Sequence, residues 1–129
     1  MIYLDLVNGL TLLSTDAVAT MTLKATKSTK TVSFTNTRST FQGLTAQAAE
    51  GINVASGIHI LTLSSTLSAG SGTLTVATGK AVTAANQFLT ISADELDLQG
   101  TITSGTATTA IGTTTANTLG VGGSTQQLN

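Results

Sequence analysis

The stretch Leu89-Thr-Ile-Ser-Ala-Asp-Glu-Leu-Asp-Leu-Gln-Gly-Thr-Ile-Thr-Ser-Gly105 decides how the rest of the chain is read. Two short runs alternate within it, Leu89-Thr90-Ile91 and Leu96-Asp97-Leu98. Each sends apolar side chains to one side and a polar one to the other, the period-2 pattern of a half-buried strand. An acidic corner, Ala93-Asp94-Glu95, separates them, and Gly100 follows. Too few residues lie between the runs for a helix. The chain is expected to make a strand, turn a corner, make another strand and turn again.

The same grammar runs in both directions. Before the stretch come Leu74-Thr-Val76, Leu61-Thr-Leu63, Ile58-His-Ile60, Ile52-Asn-Val54, Val32-Ser-Phe34, Met21-Thr-Leu23 and Leu10-Thr-Leu12. At the start, Ile2, Leu4 and Leu6 alternate up to an expected turn at Asn8-Gly9. After the stretch come Thr101-Ile-Thr103, Ala110-Ile111 and Leu119-Gly-Val121. Residues 24–30 read as a polar corner, 35–40 as a loop, 68–72 as a turn, and Gly79-Lys80 as a corner. Residues 44–50 contain the helix formers Ala46, Ala48 and Ala49, so a short helical turn ended by Gly51 is expected there.

Spacing turns these runs into a fold. Leu10, Val32, Ile52, Leu74, Leu96 and Leu119 are separated by 22, 20, 22, 22 and 23 residues. A looser family, Met21, Leu44, Leu61 and Leu89, falls roughly midway. A repeat near 22 residues of short strands and turns is the signature of a solenoid. One coil cannot bury its inner face alone; stacked on its neighbours it forms a continuous apolar ladder. The expectation is all-β: a parallel β-solenoid (β-helix) of about six coils of roughly 22 residues. A β-sandwich with turns every ~8–12 residues would explain the strands but not the near-constant interval.

Composition agrees. Charged residues make up 9% of the chain, against ~25% in an ordinary globular domain. There is no cysteine, proline or tryptophan, and threonine supplies more than a fifth of the residues. Small and β-branched residues suit thin, repetitive layers on a pleated surface. A hydrophobic fraction of 40% and a mean hydropathy of +0.32 argue against disorder. The net charge of −1 makes nucleic acid and acidic membranes unexpected partners. No run nears the ~18 apolar residues of a membrane span, and the first residues lack the basic region of a signal peptide. Neither end reads as a polar cap, so residues 1–129 are expected to be one solenoid segment of a longer repetitive protein or filament.

Few residues carry chemistry. His59 is the only histidine and sits in a strand pattern without a nucleophile or ligand set beside it. Asp94, Glu95 and Asp97 are the densest oxygen ligands, but the calcium-binding Gly-Gly-x-Gly-x-Asp repeat is absent, Gly122-Gly123 leading into Ser124-Thr125-Gln126. The remaining acids are Asp5, Asp16 and Glu50, and Arg38 is the only arginine. That is a thin set for the converging carboxylates of polysaccharide cleavage. Thr-x-Thr pairs at 20/22, 35/37, 73/75, 101/103 and 113/115 suit an ice-binding ladder, yet their intervals of 15, 38, 28 and 12 do not match a coil. No catalytic, metal or cofactor residue is assigned, and no enzymatic activity is expected. A ligand-binding solenoid, of ice, glycan or calcium, is the alternative to a structural one.

The run from Leu89 to Thr108, followed by Ala110-Ile-Gly112, resembles the haemagglutination-activity repeats of filamentous-haemagglutinin-type adhesins. So does Leu4-Asp-Leu-Val-Asn-Gly-Leu-Thr-Leu12. The shared rhythm is strand, Ala-Asp-x-Leu-x-Leu, Gly, x-Ile, x-Ser-Gly. It covers residues 86–123 well and residues 24–60 weakly. The resemblance implies a right-handed parallel β-helix, part of a long stiff rod on a bacterial surface, secreted and extracellular. It carries no catalytic residues across. Self-association through open ends, and host or surface glycans or proteins, are the partners expected; nucleic acid and membrane insertion are not.

Overall fold

The computed structural model describes residues 20–115, together with the backbone of residues 7–8 and 120–121. The expected alternation at Ile2, Leu4, Leu6, Leu10 and Leu12, and the positions of Leu119 and residues 122–129, lie outside the described residues. A leading strand, β1 (Val7–Asn8), is followed by four coils of three strands each. The first holds β2 (Met21–Ala25), β3 (Val32–Thr35) and β4 (Ser39–Phe41). The second holds β5 (Leu44–Ala48), β6 (Gly51–Val54) and β7 (Ile58–Ile60). The third holds β8 (Ser65–Ser68), β9 (Thr73–Val76) and β10 (Ala81–Ala84). The fourth holds β11 (Leu89–Ser92), β12 (Glu95–Leu98) and β13 (Thr101–Thr103), and β14 (Thr109–Gly112) and β15 (Gly120–Val121) begin another.

Strands at the same place in successive coils pair in parallel. The first face is β2-β5-β8-β11-β14, the second β1-β3-β6-β9-β12-β15, and the third β4-β7-β10-β13. The molecule is the expected parallel β-solenoid, three-sided, with four complete coils among the described residues rather than six.

Alternation sets the core. On the second face Val32, Ile52, Leu74 and Leu96 are in register, as are Phe34, Val54, Val76 and Leu98. On the first face Leu23, Ala46, Leu67 and Ile91 align, and on the third Phe41, Ile60 and Ala84. All of these are buried except Leu98, which is partly buried against the core. Inside the first coil the Phe34 and Phe41 rings meet edge to face, centroids 6.2 Å apart at 81°. That arrangement favours the ring quadrupoles.

Five expectations are corrected. Residues 44–48 form a strand, not a helical turn, with Leu44, Ala46 and Ala48 buried. The helix preference of alanine is worth a few tenths of a kcal/mol over most residues, and parallel neighbours on both sides override it. Leu61-Thr-Leu63 is a corner; the strand of that coil is Ser65–Ser68, and Ser65 takes the place opposite Leu89. Within the expected loop at 35–40, residues 39–41 are a strand of the third face, and residues 81–84 are another. At the ends, Val7–Asn8 pairs with Phe34–Thr35, so Asn8 lies in a strand and not in a turn, and Leu96 pairs with Val121 rather than with Leu119.

The corners make the intervals irregular. Between first-face and second-face strands the chain spends residues 26–31, 49–50, 69–72 and 93–94 in successive coils. Glycine is required where one corner sits on another. Gly70 has φ +62°, and a Cβ at Gly70 or Gly72 would collide with the backbone of residues 48–50 beneath.

Candidate functional site

The outward side chains form columns too. Thr22, Thr45, Thr66 and Thr90 stand in register on the first face, with Ala110 next. Beside them run Lys24, Gln47, Ser68 and Ser92. Thr-x-Thr pairs do not trace the threonine column, because the residues two places after its members are Lys24, Gln47, Ser68 and Ser92. The second face carries Ser33, Asn53, Thr75 and Asp97, and the third Thr40, His59, Thr83 and Thr103.

Polar side chains tie each coil to the next at its corners. The Thr62 hydroxyl donates to Gln42 Oε1 at 2.7 Å, Thr78 to Gln99 Oε1 at 3.1 Å, and Thr106 to Asn86 Oδ1 at 3.1 Å. Asn86 itself has φ +57°, a left-handed turn conformation that asparagine tolerates well. Hydroxyls one coil away therefore satisfy the oxygens of these side-chain amides.

The three clustered acids do not converge. Asp94, at a corner, accepts from the Thr115 amide at 2.9 Å, the Thr115 hydroxyl at 2.7 Å and the Thr114 amide at 3.1 Å. The Thr115 amide and then its hydroxyl hold the Asp94 carboxyl below its ordinary value of 3.8; desolvation opposes them, and the Thr114 amide adds the weakest pull downward. Glu95 reaches back one coil to accept from the Thr73 hydroxyl at 3.0 Å. Asp97 accepts from Gln99 Nε2 at 3.0 Å. Each carboxylate is thus satisfied by a different partner on a different column. Among the described residues no group of three or more His, Cys, Asp or Glu side chains could hold a metal ion.

His59 stands elsewhere, on the third face in register with Thr40 and Thr83. There it borders a surface cleft of about 320 Å³ with Arg38 and Lys80. Gly57 and Ser56 also line it, and none of the lining residues is acidic. His59 was noticed in the sequence only as a lone histidine. Arg38 lies two residues before Thr40 and Lys80 three before Thr83, the residues in register with His59, so no fixed spacing in the sequence marks the three as neighbours. Compared with protein-family models, with curated proteins and with solved structures, the chain matches none of them.

Proposed function

We propose that this chain is a structural β-solenoid segment, the shaft of a secreted or cell-surface adhesin, stalk or filament. The observation that supports it most is the in-register inward column Val32–Ile52–Leu74–Leu96, fully or almost fully buried through all four coils. Such a column repeats along the axis without reference to any one site, which is how a rod is built and extended. The resemblance of residues 86–123 to filamentous-haemagglutinin-type repeats favours the adhesin form of this reading. Catalysis is not part of it, since the candidate acids are engaged separately and His59 lies on another face.

In this reading further coils, of the same polypeptide or of a second copy, continue the ladders by pairing with strand edges at the ends. Such contacts are heterologous and do not close. Light scattering coupled to size exclusion, with negative-stain imaging, tests it on the 129-residue chain. Concentration-dependent rods are expected, and a stable 12.9 kDa monomer at every concentration would reject self-stacking.

The Thr22–Thr45–Thr66–Thr90 column favours a second reading, a flat face that engages a regular lattice such as ice. Thermal hysteresis, abolished by Thr45→Tyr and Thr66→Tyr together, would support that reading over a purely structural one.

A further inference from the structure

We propose that the cleft on the third face binds the carboxylate groups of an acidic, uronic-acid polysaccharide. The hollow has a simple origin. Arg38 precedes β4, Gly57 precedes β7 and Ala81 opens β10, so the three hold corresponding places in successive coils. The middle residue has no side chain. A Cβ on Gly57 would come within 3.2 Å of Arg38 Cγ and 3.4 Å of the Ala81 carbonyl oxygen, so the Arg38 stem lies along the edge of the gap.

Three basic groups border the cleft, one from each coil: Arg38, His59 and Lys80. The Arg38 and Lys80 layers are two apart, about 10 Å at ~4.8 Å per layer. The planar guanidinium offers two parallel donors to a carboxylate, and the ammonium of Lys80 adds a second charge.

The surroundings select the kind of anion. Thr40, Thr83 and Thr103 continue the His59 column along the axis, a run of hydroxyls suited to sugar hydroxyls. The outward positions of β4, β7, β10 and β13 carry no Phe, Tyr or Trp, and the His59 imidazole is the single ring on them against which a base could stack. An extended polymer with carboxylates and hydroxyls fits an open cleft on a flat face better than a nucleic acid does. This assignment is independent of the structural reading, since a shaft can lack it and a monomer can have it.

Binding of the full 129-residue chain to polygalacturonate, measured by calorimetry at near-physiological salt, tests it. Arg38→Gln with Lys80→Gln should weaken binding about tenfold or more, because each loses a charge-assisted contact. Lys24→Gln with Lys27→Gln removes the same charge elsewhere and should change binding by less than about twofold. Gly57→Leu, which fills the hollow and keeps every charge, should weaken binding as the double variant does. Should it fail to fold by circular dichroism, the exposed Arg38 and Lys80 pair still carries the test. Methyl-esterified polygalacturonate should not bind. Equal losses in the two double variants, equal binding of the esterified polymer, or a folded Gly57→Leu protein that binds normally would each overturn the proposal. So would tighter binding of oligo-deoxythymidine, which makes the site one for nucleic acid, or equally tight binding of monomeric galacturonate, which makes it one for a small acid.

Discussion

The Leu44 amide donates a 2.8 Å hydrogen bond to the Ser65 hydroxyl of the next coil, and that hydroxyl in turn donates to the Leu63 carbonyl at 3.3 Å. Ser65 is buried at a place where its column neighbours, Leu44 and Leu89, are leucines. A side chain here substitutes for a rung of the backbone ladder. Ser65→Ala should therefore cost about 1–3 kcal/mol by leaving the buried Leu44 amide without a partner. Urea denaturation gives the number. A neutral result would mean that the amide finds another acceptor.

The core should respond to volume and charge. Leu74→Ala should cost about 2–5 kcal/mol, since the coils above and below hold the neighbouring side chains in place. Leu96→Asp should be worse, because it puts an unpaired charge into the apolar column. Thermal melting followed by circular dichroism ranks the two, and Leu96→Asp retaining a higher melting temperature would mean the column is not closed at that end.

Removal of a hydroxyl should stabilise the third face. Ser39 is 0% exposed and its hydroxyl, like that of Ser56, makes no hydrogen bond among the described residues. Ser39→Ala discards a buried group that gains nothing, so stability should rise by about 1 kcal/mol. A fall in the denaturation midpoint would show that the hydroxyl has a partner after all.

Acid should open one corner first. The Asp94 carboxyl titrates below its ordinary 3.8 because residues 114 and 115 donate to its ionised form. A depressed carboxyl contributes stability that is present above the unfolded value and lost as pH falls through the folded one. The tie between the Asp94 corner and residues 114–115 should thus hold above about pH 4 and loosen progressively below it. Amide exchange at Thr114 and Thr115 followed against pH reads this directly. Asp94→Asn should abolish the acid-dependent step, and an unchanged profile in that variant would place the titration elsewhere.

The period and the second face were legible because large apolar residues recur on that face at a near-constant interval. Ile52, Leu74 and Leu96 lie 22 apart in sequence and in register in space. On the first face the intervals from Met21 to Leu44, from Thr45 to Thr66 and from Ser65 to Leu89 are 23, 21 and 24, so no fixed spacing finds the threonine column. Ser65 hid its strand further, since hydrophobic alternation points to Leu61 and Leu63, which sit in the corner. The third-face strands at Ser39–Phe41 and Ala81–Ala84 carry one large apolar residue each, Phe41 and Val82, too few for a pattern without knowledge of the neighbours. His59 could be named but not placed. Its basic neighbours Arg38 and Lys80 are brought to one cleft by stacking alone.

The first corner of the four coils spends six residues, 26–31, where the second spends two, 49–50, and the strands on either side stay paired residue for residue. Extra chain is absorbed outside the stack without disturbing the layers. The molecule is in this sense a ruler: each coil is one graduation of ~4.8 Å, and each corner is a place to hang something at a chosen mark. A peptide or tag spliced into residues 26–31 would be displayed at a fixed height, and moving the splice from corner to corner would step it along the axis one layer at a time.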